Sequence, residues 1–270
     1  MYEHFFGLKE KPFNVTADPA FFFLSKKHNE AFSHLVFGID QRKGIMVITG
    51  EIGTGKTTLC RTLLSRLDKK TKTAFILNPN FSALQLLQII VEDFGLHPTK
   101  KSKLYLVSEL NKFLLHESNI GNNVVLIIDE SQNLSARQLE QIRLLSNLET
   151  EKEKLLQIVL VGQPELQEKL GLTQLRQLNQ RVSVRYHMQP LDSDEIEEYI
   201  VHRLKVAGSN GTPNFTKEAI TSISSFSSGT PRLINIICDR ALLAGFVKET
   251  KELNNELIQK CIKEIHEYYS

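Results

Sequence analysis

The chain has 270 residues, 41% of them hydrophobic, and its 33 basic and 31 acidic residues leave a net charge of +2. That length allows a substantial core in one or two domains, and so even a charge balance gives no electrostatic footprint that by itself argues for nucleic acid or membrane. Cys60, Cys238 and Cys261 lie far apart in apolar stretches, charges interrupt the opening MYEHFFGLKEKPF, and no run of 18 apolar residues occurs, so reduced thiols, a cytoplasmic setting and neither signal peptide nor spanning helix are expected.

Short β-branched runs alternate with helical-period segments, which predicts a parallel sheet covered by helices on both faces. In chain order, strands are expected at 45–49, 73–77, 124–128, 157–161 and 182–186, most of them near-continuous apolar runs. Helices are expected at 56–67, 83–94, 103–116 and 135–148. After Leu191 the strand pattern stops, and helices are expected near 194–207, 216–225, 231–246 and 254–267, capped by Ser193, Thr216 and Thr230, with Pro231 at a first helical position. The expected organisation is an α/β domain with an N-terminal arm over residues 1–190 and a small all-helical domain over 191–270.

Between the first strand and the helix after it, Gly50-Glu51-Ile52-Gly53-Thr54-Gly55-Lys56-Thr57 matches GxxxxGK[ST]. Glycines at this spacing let the backbone curl so that successive N–H groups, on to Thr58, face a phosphate, while Lys56 neutralises β/γ charge and the Thr57 hydroxyl is placed to ligate Mg²⁺. The strand VVLII then ends in Asp129-Glu130, a pair that suits a Mg²⁺-shell carboxylate followed by a residue that polarises the attacking water. Gln163 emerges after the next strand, at the sheet edge where ligands of open α/β sheets bind. It contacts γ-phosphate or water, or else caps the helix that follows. Arg181, before the last strand, and Arg232, in GTPRLIN, have the guanidinium that a phosphate sensor or an arginine finger needs. Spacing alone leaves an exposed ion pair open for both.

The phosphate loop, the IIDE strand end, Gln163, Arg181 and GTPR occur in the order that resembles the AAA+ ATPases. More narrowly, Tyr2, Phe6-Gly7-Leu8, Pro12-Phe13, Asp18-Pro19, Phe22, His28, Leu35, GEIGTGKTTL and LVGQPEL resemble the ExeA/GspA family of general secretion pathway ATPases and its relatives in pilus and exopolysaccharide loci. The resemblance implies a P-loop α/β fold with a five-stranded parallel sheet and a helical lid. It also implies Arg181 as a finger acting on a neighbour's nucleotide, Arg232 as lid sensor, Gln163 as strand sensor, and the N-terminal segment around Phe13 and Phe22 to His28 as the wall of an adenine pocket. Without it, Phe5, Phe6 and Phe21 to Phe23 read as an aromatic cluster packing the arm onto the core. Better-known members continue through a membrane-spanning helix into a peptidoglycan-binding domain. This sequence ends at Ser270, so it is expected to be a shorter relative or part of a longer protein, and peptidoglycan binding is not carried over.

The expected function is therefore Mg²⁺-dependent ATP hydrolysis that drives or switches assembly of an envelope secretion or pilus-type machine. Self-association into a ring or other oligomer and a machinery partner are expected, with any inner-membrane attachment made through that partner. Two alternatives stand beside it: a DNA-associated ATPase of transposition-helper or initiator type, using the lysines at 69–72 or 100–103, and a nucleotide switch of low turnover.

Overall fold

A computed structural model describes residues 1–269. The strands are β1 (Ile45–Gly50), β2 (Thr71–Ile76), β3 (Asn123–Ile128), β4 (Gln157–Gly162), β5 (Val182–Met188), β6 (Asn214–Phe215) and β7 (Glu252–Leu253). The helices are α1 (Tyr2–Phe6), α2 (Lys26–Asp40), α3 (Lys56–Arg66), α4 (Ala83–Asp93), α5 (Lys103–Asn119), α6 (Ala136–Leu145), α7 (Pro164–Leu170), α8 (Arg176–Asn179), α9 (Ser193–Val206), α10 (Lys217–Ser227), α11 (Pro231–Val247) and α12 (Asn255–Tyr269). They divide into two compact units. One comprises Asn29–Ile52 with Leu59–Met188, and the other Met1–His28, Gly53–Thr58 and the described chain from Gln189 onward.

The first unit holds a five-stranded sheet in the order β2-β3-β4-β1-β5, parallel throughout. β1 and β4 are buried at every position and β3 at all but Asn123, because central strands of a covered parallel sheet meet apolar side chains on both faces. The edge strands β2 and β5 alternate buried with more exposed residues instead. Leu126, Ile158 and Leu160 are fully buried, and each such side chain contributes about 1.5–3 kcal/mol of transfer free energy.

Most of α2 lies in this unit and has no counterpart among the expected helices. Its buried stripe of Ala31, Leu35 and Ile39 has helical spacing, but Phe37 on the same segment is 55% exposed and Gly38 reads as a breaker. The glycine instead permits close packing: a Cβ there would lie 2.3 Å from the Met46 sulfur on β1.

The second unit packs α9 to α12 around Ile196, Ile223, Ile237 and Ile258, with β6 and β7 forming a short parallel pair too brief to register as a sequence pattern. The helix at 193 is capped one residue earlier than expected. Asp192 is its cap, and the Glu195 carboxylate accepts the Asp192 N–H at 3.1 Å.

The N-terminal arm also differs from the expected 1–190 grouping, because residues 1–28 belong with the helices. Apolar partners there explain why. Phe6, Phe13 and Phe21 are buried in the helical core, Phe5 stacks edge-on against Phe246 at 5.7 Å and Phe13 against Phe215 at 6.3 Å. The buried Arg203 guanidinium donates to the carbonyls of Pro12 (2.5 Å) and Asn14 (3.0 Å) and lies 4.9 Å from the Phe21 ring centre. The aromatic cluster thus packs the arm onto the helical core.

Candidate nucleotide-binding site

In the sheet unit, β1, β3 and β4 end side by side at one edge, since Thr49 pairs with Gly162 and Ile128 with Leu160. Gly50 is the last residue of β1, and the exposed Glu51 and Ile52 follow it. Asp129, just past β3, is buried, and its N–H donates to the Ile76 carbonyl at 2.8 Å. Its carboxylate accepts the Glu130 N–H at 2.9 Å.

Glu130 has left-handed backbone angles, φ 52° and ψ 36°, a conformation that costs a non-glycine residue about 1–2 kcal/mol. Strain of that kind persists where surrounding contacts hold it. The Gln132 amide donates to the Glu130 carboxylate at 2.5 Å, and the Gln163 amide approaches it at 3.5 Å. The Gln132 side-chain oxygen in turn accepts the Gln163 N–H at 3.1 Å. Gly162 makes room for this bridge, because a Cβ there would lie 2.8 Å from that oxygen. The Lys169 ammonium fastens the same turn by donating to the carbonyls of Gln132 and of Leu134, the latter at 2.9 Å. Glu130 and Gln163 are thus brought together through Gln132.

In the helical unit, Gly53 and Gly55 take φ of 83° and 95°, values open to glycine at little cost. The Gly53 carbonyl accepts the Arg232 N–H, in the first turn of α11, at 3.2 Å. The Thr54 carbonyl lies 2.9 Å from His28 Nε2. Thr54 and Lys56 are buried, Thr57 and Thr58 half-buried, and Lys56 opens α3, where orphan N–H groups and the helix dipole favour an anion.

His28 and the Arg232 backbone thus adjoin the glycine loop within this unit. Phe13 is only 1% exposed within the helical core. Both His28 ring nitrogens are engaged, Nδ1 lying 2.7 Å from Ser25 Oγ. The Arg232 side chain is exposed. Arg181 is exposed at the amino end of β5 and reaches Ser146 Oγ at 3.4 Å. Ile45 at the start of β1 pairs with Val182, so Arg181 stands at the sheet edge opposite Gly50. At about 3.3 Å per residue the strand between these edges spans roughly 16 Å.

Sequence reasoning did not single out Ser25, Gln132 or Lys169. Gln132 had a local signal, since it lies two residues after Glu130 on the turn leaving a strand. Ser25 acts through His28, and Lys169 on the turn after Glu130, by hydrogen bonds that leave no periodic trace.

An AAA domain family profile matches residues 39–170. General secretion pathway protein A of Aeromonas hydrophila is 44% identical over 254 residues, covering 94% of this chain and 46% of that protein. The chain therefore spans less than half the length of that relative. Among solved structures, Cdc6p from Pyrobaculum aerophilum is similar with a TM-score of 0.66 at 19% identity, covering 91% of this chain and 70% of that one. The ORC2 protein of Aeropyrum pernix gives 0.65 at 16%, covering 89% and 68%, and the RuvB Holliday junction branch migration motor of Thermotoga maritima 0.58 at 17%, covering 88% and 68%. At those identities the likeness concerns the fold.

Proposed function

We propose that this chain, which belongs to the AAA+ ATPases of the general secretion pathway protein A family, hydrolyses ATP at a site completed by a second copy, and uses the cycle to drive or switch assembly of an envelope secretion or pilus-type machine. The observation that carries the shared site is the position of Arg181. Its side chain extends about 7 Å, less than half the roughly 16 Å between the two ends of β1, so it does not reach phosphates held beside Gly50 of its own chain. On this reading the nucleotide it serves is a neighbour's.

In this reading Gly50, Glu51, Ile52, Gly53, Thr54, Gly55, Lys56, Thr57 and Thr58 cradle the phosphates, with Lys56 placing positive charge against the β- and γ-groups. Thr57 and Asp129 present hard oxygen donors, a set that fits magnesium. When bound, the ion neutralises charge on the β- and γ-oxygens. Glu130 accepts a proton from water as the water oxygen bonds to the γ-phosphorus and the bond to the β,γ-bridging oxygen breaks, releasing ADP and phosphate. Gln163 orients that water, Arg181 of the next subunit stabilises the spreading charge, and Arg232 senses the γ-phosphate as part of a helical lid. The link to secretion rests on the 44% identity to general secretion pathway protein A. No helix among the described residues is long and apolar enough to cross a membrane.

Complementation tests the shared site. Arg181→Ala and Glu130→Gln are each expected to turn over poorly alone, and an equimolar mixture is expected to regain activity at interfaces that pair an intact Glu130 with an intact Arg181. Wild-type turnover per subunit is expected to rise with protein concentration. Full activity of Arg181→Ala at every concentration, or no recovery on mixing, would show that each chain works alone.

A further inference from the structure

Within the helical unit one buried side chain grips the phosphate loop by its backbone. His28 is 3% exposed, and its Nε2 lies 2.9 Å from the Thr54 carbonyl oxygen. A carbonyl only accepts, so Nε2 carries the proton. Burial holds the imidazole below the ordinary histidine range, and in the neutral ring Nδ1 is then bare. The Ser25 hydroxyl accordingly donates to Nδ1 at 2.7 Å, while Ser25 Oγ accepts the His28 N–H at 3.2 Å. This pairing fixes both tautomer and ring orientation.

The anchor behind the ring belongs to the helices. The Lys26 N–H donates to the Glu195 carboxylate at 2.9 Å, and Lys27 pairs with Asp192 at 2.6 Å, so residues 26 to 28 are tied to the capping box of α9. On the loop side, a Cβ at Gly55 would stand 3.4 Å from His28 Nε2 and 4.0 Å from the Phe22 ring. The imidazole is therefore packed against the loop backbone itself.

In a trans peptide the C=O and the following N–H point to opposite sides. A Thr54 carbonyl held toward His28 turns the Gly55 N–H away from it, and the Arg232 N–H on the Gly53 carbonyl does the same for the Thr54 N–H. We propose that His28 is a positioning residue for nucleotide binding, holding the Thr54–Gly55 peptide so that the Gly55 N–H faces the phosphate. This rests on the phosphate-cradling role given above to residues 50 to 58. It assigns His28 to the loop backbone where the family resemblance had made it an adenine wall.

The test is the dissociation constant for ADP, titrated by fluorescence of a labelled nucleotide, in His28→Leu and His28→Gln. Leucine keeps the apolar volume and removes the donor, whereas glutamine places an amide N–H near the position of Nε2. The expected result is ADP binding weakened at least tenfold in His28→Leu, restored to within about threefold of wild type in His28→Gln, with similar melting temperatures for both nucleotide-free variants. Ser25→Ala, which retains the ring and frees its tautomer, is expected to fall between, and decides the matter where His28→Leu does not fold. Equal weakening in the leucine and glutamine variants would mean that the donated hydrogen bond is not what the ring supplies, and would overturn the role. Wild-type affinity in His28→Leu, or in Ser25→Ala as its substitute, would overturn the role while leaving the ATPase reading intact. A wild-type chain that binds no nucleotide would overturn both.

Discussion

Replacing Gln132 with alanine removes the donor that holds the Glu130 carboxylate at 2.5 Å. A hydrogen bond to an ionised group contributes about 1.5–3 kcal/mol. The Gln163 amide, at 3.5 Å from the same oxygen, is too long a contact to substitute. With one side of its tether gone and its backbone in the left-handed region, Glu130 relaxes away from the position in which, on the proposed mechanism, it takes a proton from water. If that energy is lost wholly in the transition state, turnover falls roughly 10- to 150-fold, at about 1.4 kcal/mol per factor of ten. The side chain of Gln132 bonds to Glu130 and Gln163, which the proposed mechanism places at the attacking water, so KM for ATP and the affinity for ADP stay within about twofold. Steady-state phosphate release at saturating Mg·ATP, with ADP titration alongside, reads both quantities. Unchanged or faster turnover would refute the reasoning, since it would mean that Gln132 either leaves Glu130 alone or holds it back.

Three further outcomes follow from burial and backbone geometry. A Cβ at Gly229, where φ is 75°, would lie 2.0 Å from the Leu191 carbonyl oxygen, whereas at Gly121, with φ 79°, it meets nothing within 4 Å. Gly229→Ala is therefore expected to lower unfolding free energy by more than about 3 kcal/mol and Gly121→Ala by about 1 kcal/mol, measured by chemical denaturation. Leu126→Ala, at a fully buried site in the sheet, is expected to cost about 2–5 kcal/mol in the same assay. Burial holds His28 and His202 below their ordinary range, so the unfolded chain binds protons that the folded chain refuses. Their contribution is complete above about pH 6.5 and is lost as pH falls from there through the lower folded values, with a slope of up to about 1.4 kcal/mol per pH unit from His28 alone. Denaturation midpoints that stayed level between pH 7 and pH 5, or an unchanged slope in His28→Gln, would contradict this.

The parts of the protein that were legible in its sequence are those where one local rule has one structural answer. The runs IMVIT, VVLII and QIVLV are too apolar to sit anywhere but inside a covered parallel sheet, and they form β1, β3 and β4. The glycines at 53 and 55 mark positive backbone angles that only a tight loop needs. What escaped was set by distant partners. Gly38 looks like a helix breaker until Met46 is seen to press against it. The arm carries aromatic rings that announce burial without saying against what, and residues 1–28 join the helical core although the sheet follows them in the chain. Family resemblance offers His28 as an adenine wall, and its bond to the Thr54 carbonyl depends on a backbone neighbour that no spacing rule reveals.

The central claim, that Glu130 makes this phosphate loop hydrolytic, is tested most directly by phosphate release from pre-bound ATP in wild type and Glu130→Gln. The account predicts Mg²⁺-dependent release from wild type, and a variant that binds ATP with similar affinity and releases phosphate at least about 100-fold more slowly. Equal release rates from the two proteins would contradict it.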